Sequence, residues 1–136
     1  MQWRTFICMK KDITGLDDIK IFVDAFYNRV QQDELIGPVF AGVITDWQPH
    51  LEKMYAFWNA ALFSVPGFKG TPFAKHAPLP IDATHFDRWL EIFSETIDTH
   101  FEGEMAEDAK NRGRLMATVF IARLENLRGT NRITIV

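Results

Sequence analysis

Apolar residues recur at steps of three and four along most of the 136-residue chain, and this spacing constrains its fold more than any other feature. Such a period places apolar side chains on one face of an α-helix. The clearest stripe, over residues 16–31, consists of Ile19, Phe22, Val23, Phe26, Tyr27 and Val30. The alternation typical of strands is weak outside the tail RITIV. The sequence therefore predicts an all-α protein of roughly six helical segments.

The same period predicts three further long helices. They cover about residues 46–63, from Asp82 or Thr84 to about Phe101, and about 104–127. In the last helix, Val119 and Leu127 are among the residues expected to face inward. Between the first two helices, Gly37-Pro38 interrupts the period and leaves Phe40 on a short turn or corner.

Capping patterns mark two of the predicted helix starts. Thr14 with Asp17 resembles a capping box before the first helix, and Thr45 with Gln48 can cap the second. Both pairs place a hydroxyl before the helix and a polar side chain three residues later, which suits the unpaired N–H groups of a first turn.

The segment PFAKHAPLP, residues 72–80, predicts a very short helix that carries a histidine. Thr71-Pro72 is typical of an N-cap followed by proline at the first helical position. Pro78 prevents much continuation, because the residue before a proline avoids the helical region. A helix of about five or six residues is not stable from propensity alone. A bond made by His76 would anchor it.

Length, charge and composition limit the classes of protein to which the chain can belong. The length suits one domain over residues 1–136. The net charge of -3, with no basic tract, argues against a nucleic-acid partner. No apolar run is long enough to span a membrane, the N-terminus lacks the pattern of a secretory signal, and Cys8 is the only cysteine. We therefore expect a soluble cytoplasmic protein. Its aromatic content of 13% is high for a small core.

Four side chains with polar tips lie on predicted helices: Tyr27, His50, Trp89 and His76. The first three fall within apolar stripes, so each is expected to be buried. A buried polar tip without a partner costs about 1–3 kcal/mol. The four groups come from four different segments, and they could converge on one cavity. The alternative is a haem-free helical interaction module in which these residues belong to an ordinary core.

Several occupants of such a cavity can be compared. Two histidines without a cysteine pair make a poor zinc site. His85 and His100 lie fifteen residues apart on one helix, too far to share an ion. His50 and Met54 are one helical turn apart and form a weak candidate pair for copper or haem. A haem fits better, because it is flat, apolar and large and takes a neutral imidazole as axial ligand.

Five motifs in order resemble the truncated haemoglobins, most closely the third group of that family. They are FYNRV (26–30), LIGPVF (35–40), His50 followed by Phe57-Trp58, PFAKHAPLP (72–80) and FDRWLEIF (86–93). The chain also lacks the Gly-Gly pairs usual in the other two groups. The resemblance covers about residues 14–128. The first dozen residues and the tail GTNRITIV lie outside it, and RITIV could pair with a partner's sheet edge.

The resemblance implies a truncated globin fold, a helical sandwich around haem b (iron protoporphyrin IX) with a very short proximal helix. It implies that His76 is the axial iron ligand, that Phe40 stacks against the haem edge, and that Tyr27, His50 and Trp89 form the distal set. The implied apolar walls are Met54, Phe57, Phe86 and Phe93. Lys53 is either the basic residue near a propionate or a plain surface lysine.

The resemblance also implies diatomic ligands such as O2, NO and CO, and peroxide. Tyr27 and Trp89 can donate hydrogen bonds to a partly negative bound ligand. Two such donors would hold oxygen too tightly for delivery. We therefore expect redox chemistry, either nitric oxide dioxygenase-like or peroxidase-like, and a reductase partner, in a monomer or weak oligomer. His50 could donate, gate the pocket, or ligate iron, which would give a six-coordinate electron-transfer or sensor protein.

Overall fold

A computed structural model describes residues 10–70, 75–76 and 78–135, with side chains to residue 129. Five helices are defined within these residues: α1 (Leu16–Gln32), α2 (Gly37–Ala41), α3 (Trp47–Phe63), α4 (Ala83–His100) and α5 (Glu104–Ile135). Lys75 and His76 are also helical. The prediction of an all-α fold is confirmed. Within the described residues no helix is both long and apolar enough to cross a membrane.

The helices pack around two apolar clusters. α1 packs against α3 and α4, α4 packs against α5, and α2 contacts α1. The larger apolar cluster lies among α1, α3 and α4 and contains Phe22, Phe26 and Trp58. A smaller cluster on the α5 side contains Phe86, Ala117 and Leu124.

The tail does not form the strand that its alternation suggested. The residues of RITIV up to Ile135 continue α5. Adding one residue to an existing helix fixes two dihedral angles for one new hydrogen bond, whereas a lone strand has no partner to bond. A short alternating pattern at the end of a long helix is therefore a weak strand signal.

Two of the predicted helix caps are also corrected. Before α1, Thr14 bonds Asp18 rather than Asp17: its N–H and Oγ1 donate to Asp18 Oδ2 at 2.9 and 3.0 Å. Before α3, the N-cap is Asp46, whose carboxylate accepts from the N–H of Gln48 at 3.3 Å. Asp82 caps α4, one of the two starts expected there.

The inward face of α5 differs from the prediction. Val119 and Leu127 are 43% and 44% exposed, and the buried positions that were not expected include Ala117 and Leu124. A Cβ atom at Gly113 would lie only 3.1 Å from the ring of Phe93, so the backbone of α5 lies directly against an aromatic ring. Glycine and alanine face inward at this part of α5. Because they are only weakly hydrophobic, the periodic pattern of large apolar residues does not indicate them.

The start of α5 is held by the segment before α1. The carboxylate of Asp12 accepts hydrogen bonds from the backbone N–H groups of Met105 and Ala106, both at 2.9 Å, and of Ile13 at 2.8 Å. Gly103, with φ at +135°, makes room for it: a Cβ there would lie 2.5 Å from Asp12 Cγ. A residue 93 positions earlier in the chain therefore caps α5.

Candidate functional site

A cavity of about 560 Å³ lies between the two apolar clusters. Both clusters contribute to its lining, for example Phe26 and Trp58 on one side and Phe86 and Ala117 on the other. The predicted site residues that line it are Tyr27, Phe40, His50, Lys53, Met54, Phe57, His76, Phe86 and Trp89. The structure thus brings side chains from five segments to one site.

Tyr27 and His50 line this cavity, and their rings form a triangle with that of Trp47. The Tyr27 and His50 ring centres are 4.9 Å apart, and Trp47 lies 5.6 Å from each of them. His50 Nε2 is buried and has no hydrogen-bond partner. Buried polar atoms are normally paired, so an unpaired nitrogen beside a cavity marks a place for a ligand.

Burial governs the protonation of both polar rings. Desolvation lowers the pKa of His50 to about 4, with smaller contributions from the charges of Lys53, His76 and Lys75. Desolvation also raises the pKa of Tyr27 far above its ordinary value. At neutral pH His50 is therefore uncharged, and Tyr27 keeps its hydroxyl proton as a donor.

Trp89 is held by aromatic neighbours on both α1 and α4. It stacks on Phe93 with a ring separation of 5.1 Å and an interplanar angle of 9°, and its edge contacts Phe26 at 5.5 Å. Phe93 in turn stacks on Trp58 at 5.0 Å. Phe93 is not among the cavity-lining residues, contrary to the expectation of an apolar wall there. It lies behind Trp89 and fixes the plane of that indole.

His76 approaches the cavity from the smaller apolar cluster. Its ring centre lies 5.2 Å from that of Phe120, and its carbonyl oxygen accepts a hydrogen bond from the N–H of Leu79 at 3.0 Å. His50 packs against Tyr27, which belongs to the larger cluster. The two histidines thus stand on different sides of the cavity. The predicted N-cap and first helical position, Thr71 and Pro72, lie outside the described residues.

Lysine side chains surround the mouth of the cavity. Lys53, Lys69 and Lys75 all contribute to its lining. Lys75 lies close to Lys53, and this neighbouring positive charge lowers the pKa of Lys53. Two cations so close together repel each other unless an anion lies nearby, so the pair suits a carboxylate ligand.

Sequence reasoning missed several residues of this site. Trp47 contacts His50, Lys75 lines the cavity and Phe120 contacts His76, and none of the three was predicted as a site residue. Lys75 stands directly before His76, a signal that could have been noticed. The contact of Phe120 with His76 joins distant parts of the chain and has no local signal.

His85 also lines the cavity, but helix capping explains its position. Its Nδ1 accepts a hydrogen bond from the backbone N–H of Asp82 at 3.1 Å, within a capping box at the start of α4. His100 is exposed at the end of the same helix. Of the four histidines, His50 and His76 therefore remain as candidate ligands.

Comparison with known proteins assigns the family. The model of the bacterial-like globins matches residues 11–122. The chain belongs to this family. Within it, the chain is a truncated haemoglobin of the third group, and the fold is a truncated globin fold, as the resemblance predicted.

Three relatives illustrate the similarity. The group 3 truncated haemoglobin ctb of Campylobacter jejuni is 28% identical over 117 residues, which cover 82% of this chain and 92% of that protein. The group 1 truncated haemoglobin GlbN of a Nostoc species is 31% identical over 73% of this chain and 81% of its own length. The crystal structure of the group III truncated haemoglobin from C. jejuni matches with a TM-score of 0.80 at 29% identity, covering 85% of this chain and 95% of that one.

The lining of the cavity fits the haem that membership of this globin family implies. The two apolar clusters offer flat aromatic surfaces, the unpaired His50 Nε2 offers a polar contact, and the Lys53–Lys75 pair offers positive charge at the mouth. Both candidate ligand histidines line the same cavity. As a globin, the chain is a ligand-binding haem protein, and globins bind diatomic gases.

Proposed function

We propose that the cavity holds haem b with His76 as its axial ligand, and that the protein retains a diatomic ligand for redox chemistry rather than delivering oxygen. The reactions that suit such a site are those with nitric oxide or peroxide, supported by a reductase. The observation that carries this proposal is the unpaired, buried Nε2 of His50 in a cavity that Tyr27 and Trp89 also line. These three side chains form a polar pocket opposite His76.

The chain's own residues can hold the cofactor by three kinds of contact. His76 supplies a neutral imidazole nitrogen for the iron. Lys53 and Lys75, which both line the cavity, would supply positive charge for the two carboxylates of the porphyrin. Apolar contact with the porphyrin comes from four lining residues, Phe40, Met54, Phe57 and Phe86. Together these residues would offer apolar contact to the porphyrin ring and positive charge to its carboxylates.

Bound haem supplies an iron that takes a diatomic ligand and exchanges single electrons with it. Tyr27 and Trp89 act on that ligand as hydrogen-bond donors, because the tyrosine stays protonated and an indole can only donate. One hydrogen bond to a charged group contributes about 1.5–3 kcal/mol, which slows ligand release about ten- to a hundredfold. Two such bonds favour retention over delivery.

A second function follows from the same nitrogen. An imidazole nitrogen without a partner can itself bind iron, which would make the haem six-coordinate and suit electron transfer or sensing. The reduced absorption spectrum of His50→Ala distinguishes the roles. If His50 ligates iron, the variant changes from a six-coordinate to a five-coordinate spectrum. If His50 donates or gates, the wild-type spectrum is already five-coordinate.

Cofactor binding is tested by the visible absorption spectrum of the purified protein, ferric and reduced. We expect a strong Soret band in the wild type and its loss or displacement in His76→Gly. His85→Gly is the matched control, because His85 also lines the cavity but caps α4. A wild-type chain without a Soret band after addition of hemin would overturn the haem proposal.

Ligand retention is tested by the oxygen dissociation rate of the reduced protein. We expect slow release in the wild type and a rate about ten- to a hundredfold higher in Trp89→Phe, which keeps the ring stacked on Phe93 but removes the indole N–H. Phe57→Leu, another change of an aromatic lining residue, should alter the rate much less. Fast release from the wild type would contradict the retention proposal.

A further inference from the structure

Asp33 lies where three elements of the cavity wall meet. It directly follows α1, and its Oδ2 accepts hydrogen bonds from the N–H groups of Leu35 and Ile36, at 3.1 and 3.0 Å, just before α2. Its Oδ1 accepts a hydrogen bond from Nε of Arg88 on α4 at 2.7 Å. One carboxylate therefore joins the end of α1, the start of α2 and the first half of α4.

Each joined element carries a side chain of the proposed ligand pocket. Tyr27 lies on α1, Phe40 on α2, and Trp89 on α4 directly after Arg88. Asp33 does not line the cavity, so it can influence a ligand only through these neighbours. It is therefore suited to set their relative positions.

The end of α1 and the start of α2 are closely packed around Asp33, and we call this contact the Asp33 joint. A Cβ at Gly37 would lie 3.0 Å from the carbonyl oxygen of Val30 and 3.2 Å from that of Gln31, so α2 starts in direct contact with the end of α1. The N–H of Gly37 also donates to the carbonyl oxygen of Asp33 at 3.0 Å. A shift of this corner therefore moves Phe40 relative to Tyr27, whose rings are 5.8 Å apart.

The charge of Asp33 is buried and paired. Its side chain is only 7% exposed. Burial alone would raise the pKa of Asp33, but hydrogen bonds from Ile36, Arg88 and Leu35 outweigh burial and hold the pKa below its usual value. Arg88 itself is 38% exposed, so the pair is partly buried, and losing Arg88 would leave the shielded carboxylate of Asp33 without its charged partner.

We propose that Asp33, through Arg88, is a positioning residue for the ligand pocket. The pair fixes the separation between the α1–α2 side, with Tyr27 and Phe40, and the α4 side, with Trp89. It thereby determines how well both hydrogen-bond donors reach one ligand. This inference rests on the proposed haem function.

The chain contains a matched control for this pair. Arg29 and Glu95 also join α1 to α4 by an ion pair, at 2.8 Å, but their side chains are 41% and 54% exposed. Neither residue bonds to α2 in the hydrogen bonds and ion pairs of residues 10–129. Glu95→Gln removes one carboxylate charge between the same two helices and breaks no hydrogen bond of Asp33, although the charge of Glu95 contributes to the raised pKa of Arg88.

The test compares Asp33→Asn, Arg88→Gln, their double variant and Glu95→Gln as haem-loaded proteins. The readouts are the C–O stretching band of the carbon monoxide complex, which reports donors near the ligand, and the oxygen dissociation rate. We expect Asp33→Asn and Arg88→Gln each to shift or split the band and to speed release about three- to tenfold, since part of one charge-assisted bond to the ligand is lost. The double variant should match the single ones, because both remove the Asp33–Arg88 ion pair, and the pair of Arg88 with Glu91, lost only with Arg88, lies within α4. Glu95→Gln should leave both readouts unchanged.

Arg88→Lys serves as the conservative variant and should restore part of the wild-type band. If Asp33→Asn does not fold, the two Arg88 variants carry the test alone. Variants that lose stability in urea while the band and the rate stay at wild-type values would overturn the positioning role, because a purely structural pair behaves in that way. If wild-type protein forms no haem complex at all, the proposed function falls, and this inference with it.

Discussion

His50 combines two properties that are rarely found together in one side chain. Its Nε2 is buried without a partner, and its pKa is lowered to about 4, first by desolvation and then by the nearby charges of Lys53, His76 and Lys75. A haem would remove more water from the ring and so maintain the main cause of the shift. His50 therefore stays neutral across the physiological range, unlike an ordinary histidine.

This shift predicts a flat pH profile near neutrality. Because the folded pKa lies below the ordinary histidine value of 6.5, the neutral form persists until the pH falls towards about 4. We expect the oxygen dissociation rate to be constant from about pH 8 to pH 6 and to rise in more acid solution, as the protonated ring leaves the pocket for water. His50→Gln should lack the acid change. A midpoint near the ordinary histidine value would contradict the prediction.

At the residue scale, the sequence predicted the polar side chains of the cavity but not the residues that hold them in position. Tyr27, His50 and Trp89 stood out because a polar atom within an apolar stripe is visible in any helical pattern. Trp47 and Asp33 did not stand out. A half-buried tryptophan at a helix start and an aspartate after a helix are ordinary local features, and only the distant contacts of Trp47 and Asp33 give them a role.

At the scale of elements, the segment 10–14 ties the start of α1 to the start of α5. Asp12 takes the place of an N-cap side chain for α5, whose own N-terminal neighbour is Gly103. The N–H of Glu102 also donates to the carbonyl oxygen of Lys11 at 3.1 Å. The helix that carries Met116 and Phe120 along the cavity is thus fixed by a residue far away in sequence.

The cap predicts a loss of stability in Asp12→Ala. Three backbone donors lose their acceptor, so we expect the free energy of unfolding to fall by about 1–2 kcal/mol. Urea denaturation of the haem-loaded protein measures the change. Asp46→Ala is the control, because Asp46 is an exposed N-cap with one bond of 3.3 Å, and its loss should cost less. Equal losses of unfolding free energy in the two variants would contradict the prediction that Asp12 contributes more than an ordinary N-cap.

The pH dependence of this cap has a definite sign. Burial alone would raise the pKa of Asp12, but hydrogen bonds from Met105, Ile13 and Ala106, with the charge of Lys11, lower it. A depressed carboxyl pKa contributes stability that is complete above the unfolded value of 3.8 and is lost as the pH falls through the folded value. The difference between wild type and Asp12→Ala should therefore shrink in acid.

Local patterns predicted the helices well and their packing less well. The stripes of α1 and α4 were visible because large side chains face inward. α5 was misjudged at Val119 and Leu127, because its inner face uses glycine and alanine where rings approach the backbone. Caps formed by residues many positions away, such as Asp12, leave no local pattern at all.

At the scale of the whole molecule, the cavity separates two apolar clusters that would otherwise form one core. A ligand that binds only the folded chain stabilises it by mass action, by about 4 kcal/mol at a thousand times its dissociation constant. We therefore expect the thermal unfolding midpoint to rise with hemin concentration. Protoporphyrin IX without iron should give a smaller rise, because it cannot bond His76. An unchanged midpoint with hemin would contradict this prediction.

The divided core also bears on the lifetime of the protein in a cell. A chain made without its cofactor has a gap of about 560 Å³ lined by aromatic rings, and it opens more often than the loaded chain. Proteases act on opened chains, so the population of open molecules sets the rate of degradation. The amount of this protein should then follow the supply of haem, without any regulator that senses haem at the level of the gene.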